Sequence, residues 1–290
     1  MTPGVAAVEG VEAVGRFYDQ HADAFQRVYG DVIQAFRTTD VTRLLDHEAA
    51  SMELHPGMRV LDAGCGVCGP AVYFAQRYGV TVDAITASPR QARTAAARIR
   101  EGGVEGLVTV RQGDFHHLAE HLPPESYDVV CFLESFGHSR DKGRALASAW
   151  EMLRRGGRLY LKDLFVREVS DPELRERIAE NIRRINEAYV YDVADLYEVL
   201  RQARRLGFIL SSLATVDIPL EEFEDLTISN EFQELTGINR IDDLGVYAFP
   251  VDFLEMSCLK PWYDPASGNN RYFLQNLYDL RLRGVPEHEL

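Results

Sequence analysis

The stretch that most constrains this chain runs from Arg59 to Pro70. Arg59-Val60-Leu61-Asp62-Ala63 suits a short buried strand and leads directly into Gly64-Cys65-Gly66-Val67-Cys68-Gly69-Pro70. A strand that ends in a glycine-rich turn and restarts as a helix opens a βαβ unit, whose second strand returns parallel to the first. Glycines there adopt backbone angles closed to other residues and let a ligand approach the main chain. A helix over about 70–77 is expected next.

The same order then recurs. Val80-Thr81-Val82-Asp83-Ala84-Ile85 reads as a strand and 88–101 as a helix, and Val108-Thr109-Val110-Arg111 leads to Gly113-Asp114-Phe115. Tyr127-Asp128-Val129-Val130-Cys131-Phe132 precedes a helix over 141–154, and Gly156-Gly157 turns into a fifth strand, Arg158 to Leu164. Alternating strands and helices imply an α/β fold with a doubly wound, mostly parallel, Rossmann-like sheet. Apolar spacing through Val14, Phe17, Tyr18, Phe25, Leu44 and Leu45 predicts helix across 8–55. Further helix is expected over 168–206, opened by Asp171-Pro172, and over 220–240. Closing strands at 207–210 and 251–256 make the expected sheet seven-stranded. The organisation expected is one domain over 1–290. It has a helical cover (1–55), a cofactor-binding core (56–165), an inserted helical lid (166–206 and 220–245) and an aromatic C-terminal extension (262–290).

A net charge of −14 argues against a broad nucleic-acid surface, which needs clustered Lys and Arg, and against adhesion to anionic lipid. No window approaches the roughly 18 apolar residues of a membrane span. The start Met1-Thr2-Pro3-Gly4 lacks the layout of a secretory signal, so the expected setting is cytoplasmic. Cys65 and Cys68 form a Cys-x-x-Cys pair without a second pair; small side chains in a tight turn explain the spacing better than zinc or redox chemistry. His116, His117 and His121 read as a polar helix near the site, since no carboxylate stands at matching spacing, and no metal ligand is assigned.

In an open parallel sheet ligands sit beyond the carboxyl ends of the strands, so the 64–69 turn is the expected binding loop. The second strand ends Ala84-Ile85-Thr86 without an acid for a ribose, which departs from the dinucleotide pattern. Leu61-Asp62-Ala63-Gly64-Cys65-Gly66 resembles the first motif of class I S-adenosylmethionine-dependent methyltransferases. Gly113-Asp114-Phe115 and Arg155-Gly156-Gly157-Arg158-Leu159 resemble their later motifs in the same order, across about residues 55–165. The resemblance implies S-adenosylmethionine as cofactor. Asp62 would orient the loop and Gly64, Cys65 and Gly66 would face its amino-acid end. Asp114 would accept from the adenine amine, with Phe115 against the ring and Leu133 completing the wall.

Ile85-Thr86-Ala87-Ser88-Pro89-Arg90-Gln91 is similar to a run found in sterol, tocopherol, cyclopropane-forming and prenyl diphosphate methyltransferases. That similarity implies Thr86, Ala87 and Gln91 near the ribose, while Ser88 also suits a helix cap. Leu133-Glu134-Ser135-Phe136-Gly137-His138-Ser139-Arg140-Asp141-Lys142 is similar to a stretch of the tocopherol enzymes. Phe17-Tyr18-Asp19 with Phe25 and Tyr29-Gly30 resembles the opening segment of the sterol enzymes. Together these features imply methylation of carbon: an alkene takes the methyl group, and a base removes a proton from the resulting carbocation.

Glu134, at a strand's carboxyl end, is the first candidate for that base, although a carboxylate there also suits the free backbone donors of a helix N-terminus. His138, four residues on, would orient Glu134 or act as the base, or serve packing alone. Phe17, Tyr18, Tyr29, Phe136 and Tyr189 are candidates to shield a cationic intermediate. The expected substrate is a small isoprenoid alkene, as its diphosphate, which would call for magnesium or for cations among Arg16, Arg27, Arg140, Lys162, Arg183 and Arg184. O- or N-methylation of a small natural product is the alternative, with Glu134 or His138 deprotonating the acceptor. Partners are expected to be the small molecule and, for a homo-oligomer, further copies of the chain.

Overall fold

A run of β-forming residues at each predicted strand produces one seven-stranded sheet in the computed structural model, which describes residues 4–37, 40–215, 227–237 and 248–262. Its strands are β1 (Arg59–Ala63), β2 (Thr81–Thr86), β3 (Val108–Gln112), β4 (Tyr127–Leu133), β5 (Leu153–Val166), β6 (Ile209–Thr215) and β7 (Val251–Leu259), in the order β3-β2-β1-β4-β5-β7-β6. β1 to β5 run parallel, and β7 inserts antiparallel between β5 and β6. Strand order reverses between β1 and β4. That switch point leaves a crevice at the carboxyl ends, where a ligand can sit.

Successive strand residues point to opposite faces, so two cores form. Val60, Val82, Val129 and Cys131 pack against α3 (Val41–Ser51), α4 (Gly69–Tyr78) and α5 (Pro89–Glu101). Leu61, Ile85, Val130 and Phe132 pack against α6 (Lys142–Met152), α8 (Leu196–Leu206) and a 3-10 turn at Phe115–Glu120. α1 (Gly4–Gln20) covers the crevice with Val11, Val14 and Tyr18, α2 (Ala22–Tyr29) follows it, and α7 (Pro172–Tyr189) and α9 (Thr227–Thr236) fall in the segments expected to form a lid.

Two long helical predictions are interrupted. The 8–55 segment breaks after α2, where Gly30 takes a φ of +61°, and restarts when the Asp40 side chain caps α3 by accepting from Thr42 N and Arg43 N. The 168–206 segment breaks at Val190, left-handed at a φ of +52°, and restarts on the Asp195 cap of α8. Within the two breaks Val32, Gln34, Tyr191, Val193 and Ala194 are buried without being helical. The fifth strand begins earlier than predicted, at Leu153, and β6 and β7 run beyond their predicted ends. Among the described residues no helix is long and apolar enough to cross a membrane. Most of the 220–245 lid and nearly all of the aromatic extension lie outside the described residues.

Candidate active site

Every residue expected to touch the cofactor lines one cavity of about 820 Å³ at the carboxyl ends of β1, β2 and β4. Its floor is the turn after β1. Gly64 has a φ of +104°, and a Cβ there would lie 2.3 Å from that of Ser135, so only glycine fits. Gly64 N–H and Cys65 N–H both donate to Ile85 O at 2.9 Å, which ties the turn to β2. Asp62 is buried and its Oδ1 has no hydrogen-bond partner. Burial pushes this carboxyl up to about 7. An orphaned acceptor at the cavity floor suits the ammonium of an amino-acid moiety, so these residues fit S-adenosylmethionine. Cys65 and Cys68 are buried free thiols, and no group of three or more potential metal ligands converges among the described residues.

The side walls are equally fixed. Thr86 donates to Gln91 Oε1 at 2.7 Å, both side chains buried where an acid would otherwise meet a ribose. Ser88 caps α5, accepting from Gln91 N, and also donates to Asp19 of α1. Asp114 accepts from His116 N and Nδ1 and from His117 Nδ1. Although burial opposes it, these hydrogen bonds hold Asp114 below the usual carboxylate range. Phe115 and Leu133 complete the wall, and Val11, Val14 and Tyr18 of α1 with Ile33 and Gln34 roof it.

Glu134 also lines the cavity, but as a bound carboxylate. Its φ of +56° is strained for a residue with a side chain and swings the carboxylate toward the 32–37 segment. There it accepts from Ala35 N at 2.6 Å, Phe36 N at 3.2 Å and Lys162 Nζ at 2.5 Å. Lys162, 1 % exposed, further donates to Gln34 Oε1 and Phe36 O. Glu48 stands 3.8 Å from Lys162, and burial pushes its carboxyl up to about 8.

His138 is arranged differently. Nδ1 faces Val190 O at 3.1 Å, an acceptor, so Nδ1 carries the proton. Nε2 therefore presents a lone pair, and Tyr18 donates to it at 2.9 Å. Burial lowers the imidazole to about 4, which keeps it neutral at physiological pH.

Of the aromatic candidates, only Tyr18 lines the cavity. Phe17 and Tyr29 pack with Phe25 and Val28 under the cover, where the edge of Tyr189 meets Phe17 at 6.3 Å. Phe136 is fully buried beneath the site against Phe132. Among the described residues the cavity lining contains no Lys or Arg: Arg16 pairs with Glu12, Arg183 and Arg184 pair with exposed glutamates, and Lys162 pairs with Glu134. Sequence reasoning missed Gln34, Glu48 and Asp163, and it offered Lys162 as a contact for a diphosphate rather than as the partner of Glu134. Two buried carboxyls and a buried lysine in apolar strand and helix patterns were the available signal.

Comparison with known proteins bears on this geometry. Residues 61–161 match the Methyltransferase domain family. The 27-O-demethylrifamycin SV methyltransferase of Amycolatopsis mediterranei is 33% identical over 200 residues, covering 66% of this chain and 72% of that protein. Among solved structures, the [4+2]-cyclase SpnF superposes with a TM-score of 0.68 at 22% identity, covering 87% of this chain and 97% of its own. A geranyl diphosphate methyltransferase in complex with SAM superposes at 0.57 and 21% identity, covering 76% of this chain and 83% of its own.

Proposed function

Because this chain belongs to the S-adenosylmethionine-dependent methyltransferases, we propose that it methylates a hydroxyl oxygen of an uncharged natural product, with His138 as general base. The observation that carries this reading is the hydrogen bond from Tyr18 O–H to His138 Nε2, which marks where a hydroxyl sits on a neutral imidazole inside the cavity. The cofactor, when bound, supplies an electrophilic methyl group on a sulfonium. The acceptor hydroxyl would displace Tyr18 O–H from His138 Nε2, and His138 would then take its proton onto Nε2 as the oxygen–carbon bond forms. A weak base suffices, because an alkylating oxygen becomes far more acidic than an imidazolium. The Asp62 carboxylate would balance the ammonium of the amino-acid end, Thr86 and Gln91 would meet the ribose, and Asp114 the adenine amine. The α1 roof excludes water.

This order of acceptors reverses the one expected from the sequence. Glu134 is committed to Lys162 and to two backbone amides, so it is better suited to anchoring the 32–37 segment than to removing a proton. A diphosphate finds no Lys or Arg among the described lining residues. The relative named 27-O-demethylrifamycin SV methyltransferase supports an oxygen acceptor. Carbon methylation of an isoprenoid alkene is the second reading. It is favoured by the ring of Tyr18, which lines the cavity where a cation would form.

The test is a screen of hydroxylated natural products and isoprenoid diphosphates with methyl-labelled cofactor, read by mass and by the bond that carries the label. Label in an ether supports the proposal; label on a new carbon–carbon bond overturns it. In the same assay His138→Gln is expected to lower kcat by about 10²–10⁴-fold, with affinity for S-adenosylhomocysteine unchanged.

A further inference from the structure

Behind His138 lies a second, fully buried polar pair that the reaction does not touch. Asp163, on β5, is 1 % exposed. It accepts from the Tyr191 hydroxyl, from Gly137 N at 3.1 Å and from its neighbour Leu164 N at 2.7 Å. It is thus satisfied by hydrogen bonds rather than by an ion pair, an expensive way to bury a carboxylate where a phenylalanine at 191 and an apolar residue at 163 would fill the same space. The site is also shaped around the ring. A Cβ on Gly137 would fall 1.8 Å from Tyr191 Cε1, so residue 137 must be glycine for the tyrosine to lie where it does.

The ring of Tyr191 meets His138 edge to face, centroids 4.6 Å apart at 80°. The residue before it, Val190, is held left-handed at the end of α7, and its carbonyl is the acceptor for His138 Nδ1. Asp192 N donates to Gly137 O at 2.7 Å, and Lys142 Nζ binds Asp192 O at 2.7 Å. The 190–192 strap and the 135–138 turn are therefore stitched together on both sides of the imidazole.

We infer that Tyr191, anchored by Asp163, is a positioning residue: it sets the ring plane of His138 and, through Val190 O, the tautomer that keeps Nε2 an acceptor, the atom that Tyr18 occupies here and that the acceptor hydroxyl would take over. The catalytic consequence rests on His138 being the base; the positioning itself does not.

Tyr191→Phe keeps the ring and removes only the bond to Asp163. Imidazole nitrogen shifts of His138, assigned by difference from His138→Gln, read the tautomer without turnover. The wild-type protein should show a single Nδ1–H form, and Tyr191→Phe a mixture of both forms. In the variant kcat should fall about tenfold, while KM and S-adenosylhomocysteine affinity stay within twofold. Asp163→Asn, which disturbs the same anchor from β5, should reproduce the tautomer mixture, and it decides the point if Tyr191→Phe does not fold. A single unchanged tautomer in folded variants overturns the inference. A tautomer mixture with full turnover in His138→Gln would sustain the positioning and remove the base assignment instead.

Discussion

Lys162 Nζ lies 2.5 Å from Glu134 and 3.8 Å from Glu48, so its ion pair is with Glu134 and Glu48 is left the more distant partner. Glu134 is anchored as an acceptor of three donors, whereas Glu48 is a buried carboxyl pushed up to about 8. An unfolded chain ionises such a group near 4.5, so between pH 4.5 and about 8 the folded protein holds a proton that the unfolded one has lost. Stability contributed by Glu48 is therefore full below 4.5 and declines as pH rises through that window. Asp62, raised to about 7, and Asp163, raised to about 6, act in the same direction. His138, lowered to about 4, acts oppositely: its contribution is full above 6.5 and is lost on acidification toward 4. Glu48→Gln should thus stabilise the protein at pH 8 by about 1–3 kcal/mol and flatten the dependence between pH 5 and 8. Urea unfolding at the two pH values measures this. A variant no more stable than wild type at pH 8 would mean that Glu48 is ionised in the folded state.

α1 closes the cavity through close backbone contact rather than through a large side chain. Gly15 faces Ala87, and a Cβ on residue 15 would come within 2.9 Å of Ala87 O, at the cavity wall. Alanine is the better helix former by about 1 kcal/mol, yet here it would lever the helix away from the cofactor. Gly15→Ala is expected to weaken S-adenosylhomocysteine binding about fivefold, about 1 kcal/mol by calorimetry. Gly10→Ala is the control on the same helix, because a Cβ there meets Arg140 Cδ only at 3.9 Å. It should gain helix stability and leave binding unchanged. Equal effects of the two substitutions would show that helix propensity, not seating, governs the roof.

Across the whole chain, the cover is tied to the core by acids from α1, α2 and the segment after them. Asp23 pairs with Arg90 and Asp31 with Arg98, while Asp19 accepts from Ser88 and from Arg90 N. Asp23 and Asp31 are mostly exposed, so each pair contributes little alone and salt screens it. The core strands, by contrast, depend on apolar burial. Screening also relieves self-repulsion in a chain of net charge −14. Raising salt from low to molar concentration should therefore speed amide hydrogen exchange in α1 and α2 while leaving β1, β4 and β5 unchanged or slower. Uniform behaviour across cover and core would refute the latch.

Much of this was legible in the residues themselves. Strand alternation, the Gly64 and Gly66 turn, the Thr86-to-Gln91 run and Asp114 are local signals, because a βαβ unit places consecutive segments side by side and its glycines answer a nearby backbone demand. The sequence therefore determined the sheet, the binding loop and the side chains around the cofactor cavity. The fate of Glu134 and His138 was not local. Lys162, 28 residues from Glu134, and the amides of the 32–37 segment meet that carboxylate only once β5 and the cover are in place. Likewise Val190 O, 52 residues after His138, and Tyr18, 120 residues before it, fix its two nitrogens. Which acidic or basic group is free to act depends on partners distant in sequence, and only the tertiary structure decided that.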